Sequence, residues 1–306
     1  MDKVLFEQTL ELAKGNLGYS TLGRFSTIYP FTTENISEYI DMFDLNNKSL
    51  LTVGSSGDQV INASMRGCLD QTVIDICPFT SYYFHLKKAC MLSLDYEQFL
   101  SFLCLRDYPK RNDFNHKAFN IETWSTIFPV LKDINKESFY FWKELISKVT
   151  PLKVRENMFR FRMEQPYVIK ELNLYLKDKE HFNMAKKTVE LIEPKFIIGD
   201  IYKTDINGQY DNIFLSNMSD YYPPEKHKKL IDRLSQNLTE EGKMLIAYLY
   251  DTVLANIRAF LDPEGIGLAE YINVIQDVNG LDTLKKQIYE VKDSVLIYQK
   301  SSHKKY

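Results

Sequence analysis

The chain has 306 residues, 44% hydrophobic and 26% charged, with 12 Gly, 10 Pro and a formal net charge of −3. This describes a globular chain with a full-size core and excludes a fibre, a collagen or a low-complexity tail. The slight negative charge also argues against a protein devoted to gripping a nucleic-acid backbone, which calls for a basic surface.

At the amino terminus, MDKVLFEQTLELAKG scatters Glu7, Glu11 and Lys14 among apolar positions, the pattern of an amphipathic helix rather than a signal peptide. No run approaches the roughly 20 apolar residues that a membrane-spanning helix needs, so a cytoplasmic chain is expected. The short apolar runs SLLTVG (49–54), QTVIDIC (71–77), KFIIGDI (195–201), YDNIFLSN (210–217) and GKMLIAYLY (242–250) read as strands buried on both faces. SGDQVINASMRG, between the first two, is long enough for a crossover helix. KKQIYEV and DSVLIYQK are expected to form an antiparallel hairpin around Lys292 and Asp293 that closes the sheet.

Residues 78–194 are far more than one crossover requires, and the aromatic-rich sequence there predicts an inserted set of helices. Their ranges are 78–93, 95–104, 137–149 and 167–178, punctuated by Pro109, Pro129, Pro151 and Pro166. The expected organisation is a helical segment over 1–45, a nucleoside-binding α/β domain over 46–78 and 194–300, a helical insertion over 79–193 and a disordered tail over 301–306. Cys68, Cys77, Cys90 and Cys104 contain no C-x-x-C spacing and read as reduced, buried thiols. The histidines have no metal-ligand spacing, so no metal is implied.

The informative segment is LLTVGSSGDQV, a strand followed by a turn holding Gly54 and Gly57 and then a helix start, which lets backbone N–H groups approach a ligand at the sheet's carboxyl edge. Asp75 ends the next strand at the distance where an acidic residue accepts hydrogen bonds from ribose hydroxyls. Ser56 and Gln59 stand where a dinucleotide fingerprint wants glycines, and no G-K-[ST] follows, so neither a pyrophosphate site nor a P-loop is expected. Asp200 ends the third strand and is suited to the exocyclic amine of adenine. The fourth strand leads into Ser216, Asn217, Asp220 and Tyr221, where a substrate's reacting group would lie. YYPP at 221–224 reads as a loop before a helix starting at Pro224. Arg155, Arg160, Arg162 and Lys170 read as a solvated helix face, with an anion site as the competing reading.

This order of parts resembles the class I S-adenosylmethionine-dependent methyltransferase-like superfamily. VGSSGDQV followed by DICPFTSYYFHLKKACMLSLDYEQFL is similar to the bacterial family containing the betaine-lipid 3-amino-3-carboxypropyl transferases, at Asp75, Pro78, Lys87, Leu94, Asp95, Tyr96, Phe99 and Leu100. Thr52 stands where ordinary methyltransferases often carry an acid, and Ala247 and Tyr248 where the lipid-forming enzymes carry an arginine. The resemblance implies a Rossmann-like fold, a mostly parallel seven-stranded sheet with an antiparallel C-terminal hairpin, and S-adenosyl-L-methionine as cofactor. It further implies transfer of a 3-amino-3-carboxypropyl or methyl group to a small-molecule acceptor such as a lipid or metabolite. The cofactor would be held by Gly54, Ser55, Ser56, Gly57, Asp58, Asp75, Ile76, Asp200, Ile201 and Ser216, with Asn217, Asp220 and Tyr221 at the reacting centre. A non-catalytic cofactor-binding partner protein of the same fold is the alternative.

Overall fold

The computed structural model describes residues 3–15, 24–104, 117–159, 166–218, 222–247, 267–273 and 294–300. Five parallel strands, β1 (Ser49–Val53), β2 (Asp70–Asp75), β3 (Lys195–Ile198), β4 (Tyr210–Phe214) and β5 (Leu238–Ile246), carry the runs read from the sequence. With β6 (Gly267–Asn273) and β7 (Ser294–Lys300) they form one seven-stranded sheet in the order β3-β2-β1-β4-β5-β7-β6. β7 runs antiparallel to both its neighbours. This arrangement is the class I methyltransferase fold that the sequence led us to expect. The strand paired with β7 is corrected, however: it is Gly267–Asn273, and KKQIYEV lies outside the described residues.

Successive strand residues enter opposite cores, as the two-residue period of a strand requires. Leu51, Ile74, Ile213, Met244 and Leu296 pack with Leu230, Ile231 and Leu234 of α11 (Pro224–Ser235). On the other face, Leu50, Phe214, Leu245 and Val295 meet Ala63 of α3 (Asp58–Ser64) and Ile36 and Tyr39 of α2 (Ile36–Tyr39).

Between β2 and β3 the chain forms α4 (Phe79–Ser93), α5 (Tyr96–Leu103), α6 (Ile121–Ile134), α7 (Lys136–Lys148), α8 (Pro151–Met158), α9 (Pro166–Leu172) and α10 (Lys179–Leu191). Their starts are written in the sequence: Asp95 and Gln98 make a capping box, and Asn120, Asn135, Thr150 and Asp178 each cap with a side-chain oxygen. Pro129 lies inside α6 rather than ending it. The proline is on the exposed face, while Trp124, Ile127 and Leu131 pack inward and hold the helix. The helix expected over 167–178 breaks at Asn173. That side chain accepts from Asn62 Nδ2 at 2.9 Å, and Asn62 Oδ1 accepts from Leu174 N at 2.8 Å, so an amide pair with α3 replaces helical bonds.

These helices share their core with Val60, Ile61 and Val73 of the α/β layers and with Leu10 and Ala13 of α1 (Lys3–Lys14). Its centre is aromatic, with Tyr82 and Phe141 stacked at 4.2 Å and Trp142 Nε1 donating to Tyr82 O at 2.9 Å. Arg155 is buried rather than part of a solvated face. All four cysteines are buried and free. Among the described residues no helix is long and apolar enough to cross a membrane.

Candidate functional site

The chain leaves β1 for β2 and β3 on one side, then returns to place β4 on the other side of β1. This reversal opens a crevice at the carboxyl ends of the strands. A cavity of about 240 Å³ lies there, reaching Val53 and Ser55 at the end of β1, Ile74–Cys77 at the end of β2, Gly199–Ile201 after β3 and Ser216–Met218 after β4. Tyr222 and residues 26–29 complete its lining.

Gly54 is required by close packing. A Cβ there would lie 2.3 Å from Thr80 Cγ2 and 2.9 Å from Asp75 Oδ2. Asp75 is thereby drawn against the turn, where it accepts from Ser55 N at 2.9 Å, Cys77 N at 2.8 Å and Thr80 Oγ1 at 3.0 Å. Burial pushes its carboxyl above the ordinary 3.8, while these hydrogen bonds pull it back. The Ile76 backbone N–H is a fourth donor to this carboxylate, so a ligand donor would share an oxygen with one of the four.

Asp200 accepts from Tyr202 N at 3.0 Å and has Lys203 Nζ at 3.5 Å from its outer oxygen. Ile76 is 37% exposed and Ile201 only 6%, giving the cavity an apolar slot beside Asp75 and Asp200. The lining contains two carboxylates and, among the described residues, no Lys, Arg or His.

Of the residues singled out from the sequence, Ser55, Asp75, Ile76, Asp200, Ile201, Ser216 and Asn217 meet at this cavity. Asp220 and Tyr221 lie outside the described residues. Gly54, Ser56, Gly57 and Asp58 do not line it, and for Asp58 the reason is clear. Its carboxylate accepts from Lys87 Nζ at 2.7 Å, Tyr175 OH at 2.6 Å, Ser56 Oγ at 2.9 Å and the Thr32 backbone N–H. Lys87 and Asp58 are both fully buried, and Lys87 also donates to Ser56 O at 2.9 Å. The placement of Asp58 against a ligand is therefore corrected: it is an internal brace of the turn. Gly57, at φ 79°, is packed against Phe84 and serves the same local geometry.

Several lining residues were missed. Ser26, Thr27, Ile28 and Tyr29 belong to a strap before the sheet, fixed where Ile28 N donates to Met158 O at 2.9 Å. Tyr222 was also missed, as were two residues behind the lining: Thr80, which donates to Asp75, and Glu34, a 5%-exposed carboxylate that meets the β4 loop. Glu34 accepts from Ser216 Oγ, from Tyr39 OH at 2.9 Å and from Gln59 Nε2 at 2.9 Å. Nothing local in the sequence marks the strap or Glu34, because their contacts with Met158 and Ser216 are made far along the chain.

No family model and no curated protein matches the chain. Among solved structures it is similar to a magnesium protoporphyrin IX methyltransferase from Synechocystis PCC 6803 with bound S-adenosylmethionine. The identity is 10% over 87% of this chain and 76% of that one, with a TM-score of 0.40. It is also similar to the N-methyltransferase NodS from Bradyrhizobium japonicum WM9 in complex with S-adenosylhomocysteine, at 9% identity over 97% of this chain and 99% of that one, TM-score 0.39. A third is a TehB-like methyltransferase from Corynebacterium glutamicum, 10% identical over 88% of this chain and 89% of that one, TM-score 0.37. The fold assignment rests on the strand order and pairing above, not on these likenesses.

Proposed function

We propose that this chain is an S-adenosylmethionine-dependent transferase. The observation carrying the reading is the convergence of Ser55, Asp75, Asp200 and Ser216 on one cavity at the reversal point of the sheet. The described lining suits the cofactor: the carboxylates Asp75 and Asp200 face a ligand that bears a sulfonium and an ammonium, and Ile76 and Ile201 offer apolar walls to a purine. Asp75 accepts from the ribose hydroxyls and Asp200 from the adenine amine.

When bound, the cofactor supplies an electrophilic carbon attached to a sulfonium. The chain's task is then to orient that carbon and exclude water. Asn217, with Asp220 and Tyr221 in the same loop, would orient or deprotonate the acceptor, and residues 79–193 would act as a substrate cap.

Transfer of 3-amino-3-carboxypropyl to a lipid or metabolite is the finer reading, supported by the similarity at Asp75, Pro78, Lys87, Asp95 and Tyr96. Lys87 braces Asp58, Asp95 caps α5, and Tyr96 OH donates to Leu176 O at 2.6 Å. The shared pattern thus includes residues that hold the turn and helices in place.

Asp75→Ala tests the site: calorimetry is expected to show loss of S-adenosylhomocysteine binding while the circular dichroism spectrum is kept. Unchanged affinity would remove Asp75 from it. The by-product separates the two chemistries, S-adenosylhomocysteine after methyl transfer and methylthioadenosine after aminocarboxypropyl transfer.

A further inference from the structure

α6 and α7 meet at Asn135, which ends the first and caps the second. An open groove of about 500 Å³ runs between them, lined among the described residues by these two helices alone and sharing no residue with the cavity at the sheet edge. Its floor is aromatic: Phe128 and Phe139 are half-buried and meet edge to face with ring centroids 5.5 Å apart. Lys132 Nζ lies 5.9 Å and Lys143 Nζ 5.5 Å from the centre of the Phe139 ring, so two ammonium groups reach one ring from two helices. Both lysines are exposed, and among the described residues neither has an ion-pair or hydrogen-bond partner. Asp133 also lines the groove, which two lysines against one aspartate leave net positive. Pro129 adds an acceptor: having no N–H, it cannot donate to Ser125 O one turn earlier, and both residues belong to the lining.

We propose that this groove docks an acidic segment of a partner protein, one in which carboxylates flank an aromatic or aliphatic side chain. The carboxylates meet Lys132 and Lys143, the apolar side chain enters between them onto Phe128, Phe139 and Pro129, and a main-chain N–H faces Ser125 O. Charge complementarity selects this occupant. A small anion alone would leave the aromatic floor wet, and an apolar group alone would leave both ammonium groups unmatched, whereas such a segment answers both. A bilayer surface reaches projecting groups, but this floor is recessed between two helices, where a side chain can enter.

A random peptide library displayed on phage, selected on the full chain and counter-selected on the double variant Lys132→Glu/Lys143→Glu, tests the proposal. Enriched peptides are expected to carry acidic residues around an aromatic or aliphatic one. Fluorescence anisotropy with the synthesised consensus peptide should then show binding at least about tenfold weaker for the double variant, because two attractive pairs become repulsive. Lys148→Glu alters charge on the same helix outside the groove and should change affinity by less than about twofold. No enrichment, a consensus without acidic residues, or binding that the double variant keeps or that Lys148→Glu weakens equally overturns the proposal. Co-sedimentation of the unaltered chain with phosphatidylserine vesicles that is lost in the same double variant also overturns it, giving the groove to a lipid surface instead.

Discussion

The turn after β1 and the loop after β4 flank the same crevice, and both contain acidic and hydroxyl side chains, yet the fold uses them in opposite ways. In the β1 turn, Asp58 is closed off by Lys87, Tyr175, Ser56 and Thr32, and only Ser55 reaches the cavity. In the β4 loop, Ser216, Asn217 and Met218 all line the cavity, and the acid that braces them, Glu34, is imported from the amino-terminal strap. One loop supplies its own carboxylate and spends it internally, while the other borrows one and lines the cavity with Ser216, Asn217 and Met218. An acidic residue in a glycine turn is therefore weak evidence for a ligand contact until its hydrogen-bonding capacity has been counted.

The strongest way to break this contrast is Lys87→Met. Removing the cation leaves Asp58 buried without its charge partner, and unfolding by denaturant should show a loss of about 3–5 kcal/mol. A loss below about 1 kcal/mol would mean that Asp58 is not a brace.

Gly54→Ala should act next. The new Cβ would press on Thr80 and Asp75 at 2.3 and 2.9 Å. Such overpacking is expected to cost about 1–3 kcal/mol and to displace Asp75, so calorimetry should also record weaker nucleoside binding. Destabilisation with full affinity would show that Asp75 does not hold the ligand.

The smallest effect concerns the borrowed carboxylate. Burial raises the Glu34 carboxyl above its ordinary 4.5, so the folded chain holds that proton more tightly than the unfolded chain does. This contribution to stability is present below pH 4.5 and fades as the pH rises through the folded value. Glu34→Gln lacks that fading, so its stability deficit against the unaltered chain should shrink from pH 4 to pH 7 in thermal melts. A deficit that widens with pH would contradict burial as the dominant influence on Glu34.

The parallel strands were legible as short apolar runs, most of them buried in the sheet interior, and Asp75 and Asp200 could be placed at the sheet's carboxyl edge because they stand at the ends of such runs. Asp58 was misplaced because its partners Lys87 and Tyr175 stand 29 and 117 positions away. Asn173 ended a helix that its own neighbours favour, through an amide pair with Asn62 across 111 positions. The strap had no periodic signal at all, since residues 24–35 hold few regular backbone bonds and take their course from the groups they meet. Local pattern locates the sheet edge, but the identity of its braces is a property of tertiary packing.

Those meetings have a consequence for how the molecule comes into being. Pro30 O accepts from Tyr83, Ile28 N donates to Met158 O, and Glu34 waits for Ser216. During synthesis the strap emerges early, but its last anchor is made only after most of the chain has left the ribosome. The wall nearest the amino terminus is thus secured late, and a nascent chain stopped short of residue 216 lacks the latch that completes the cavity.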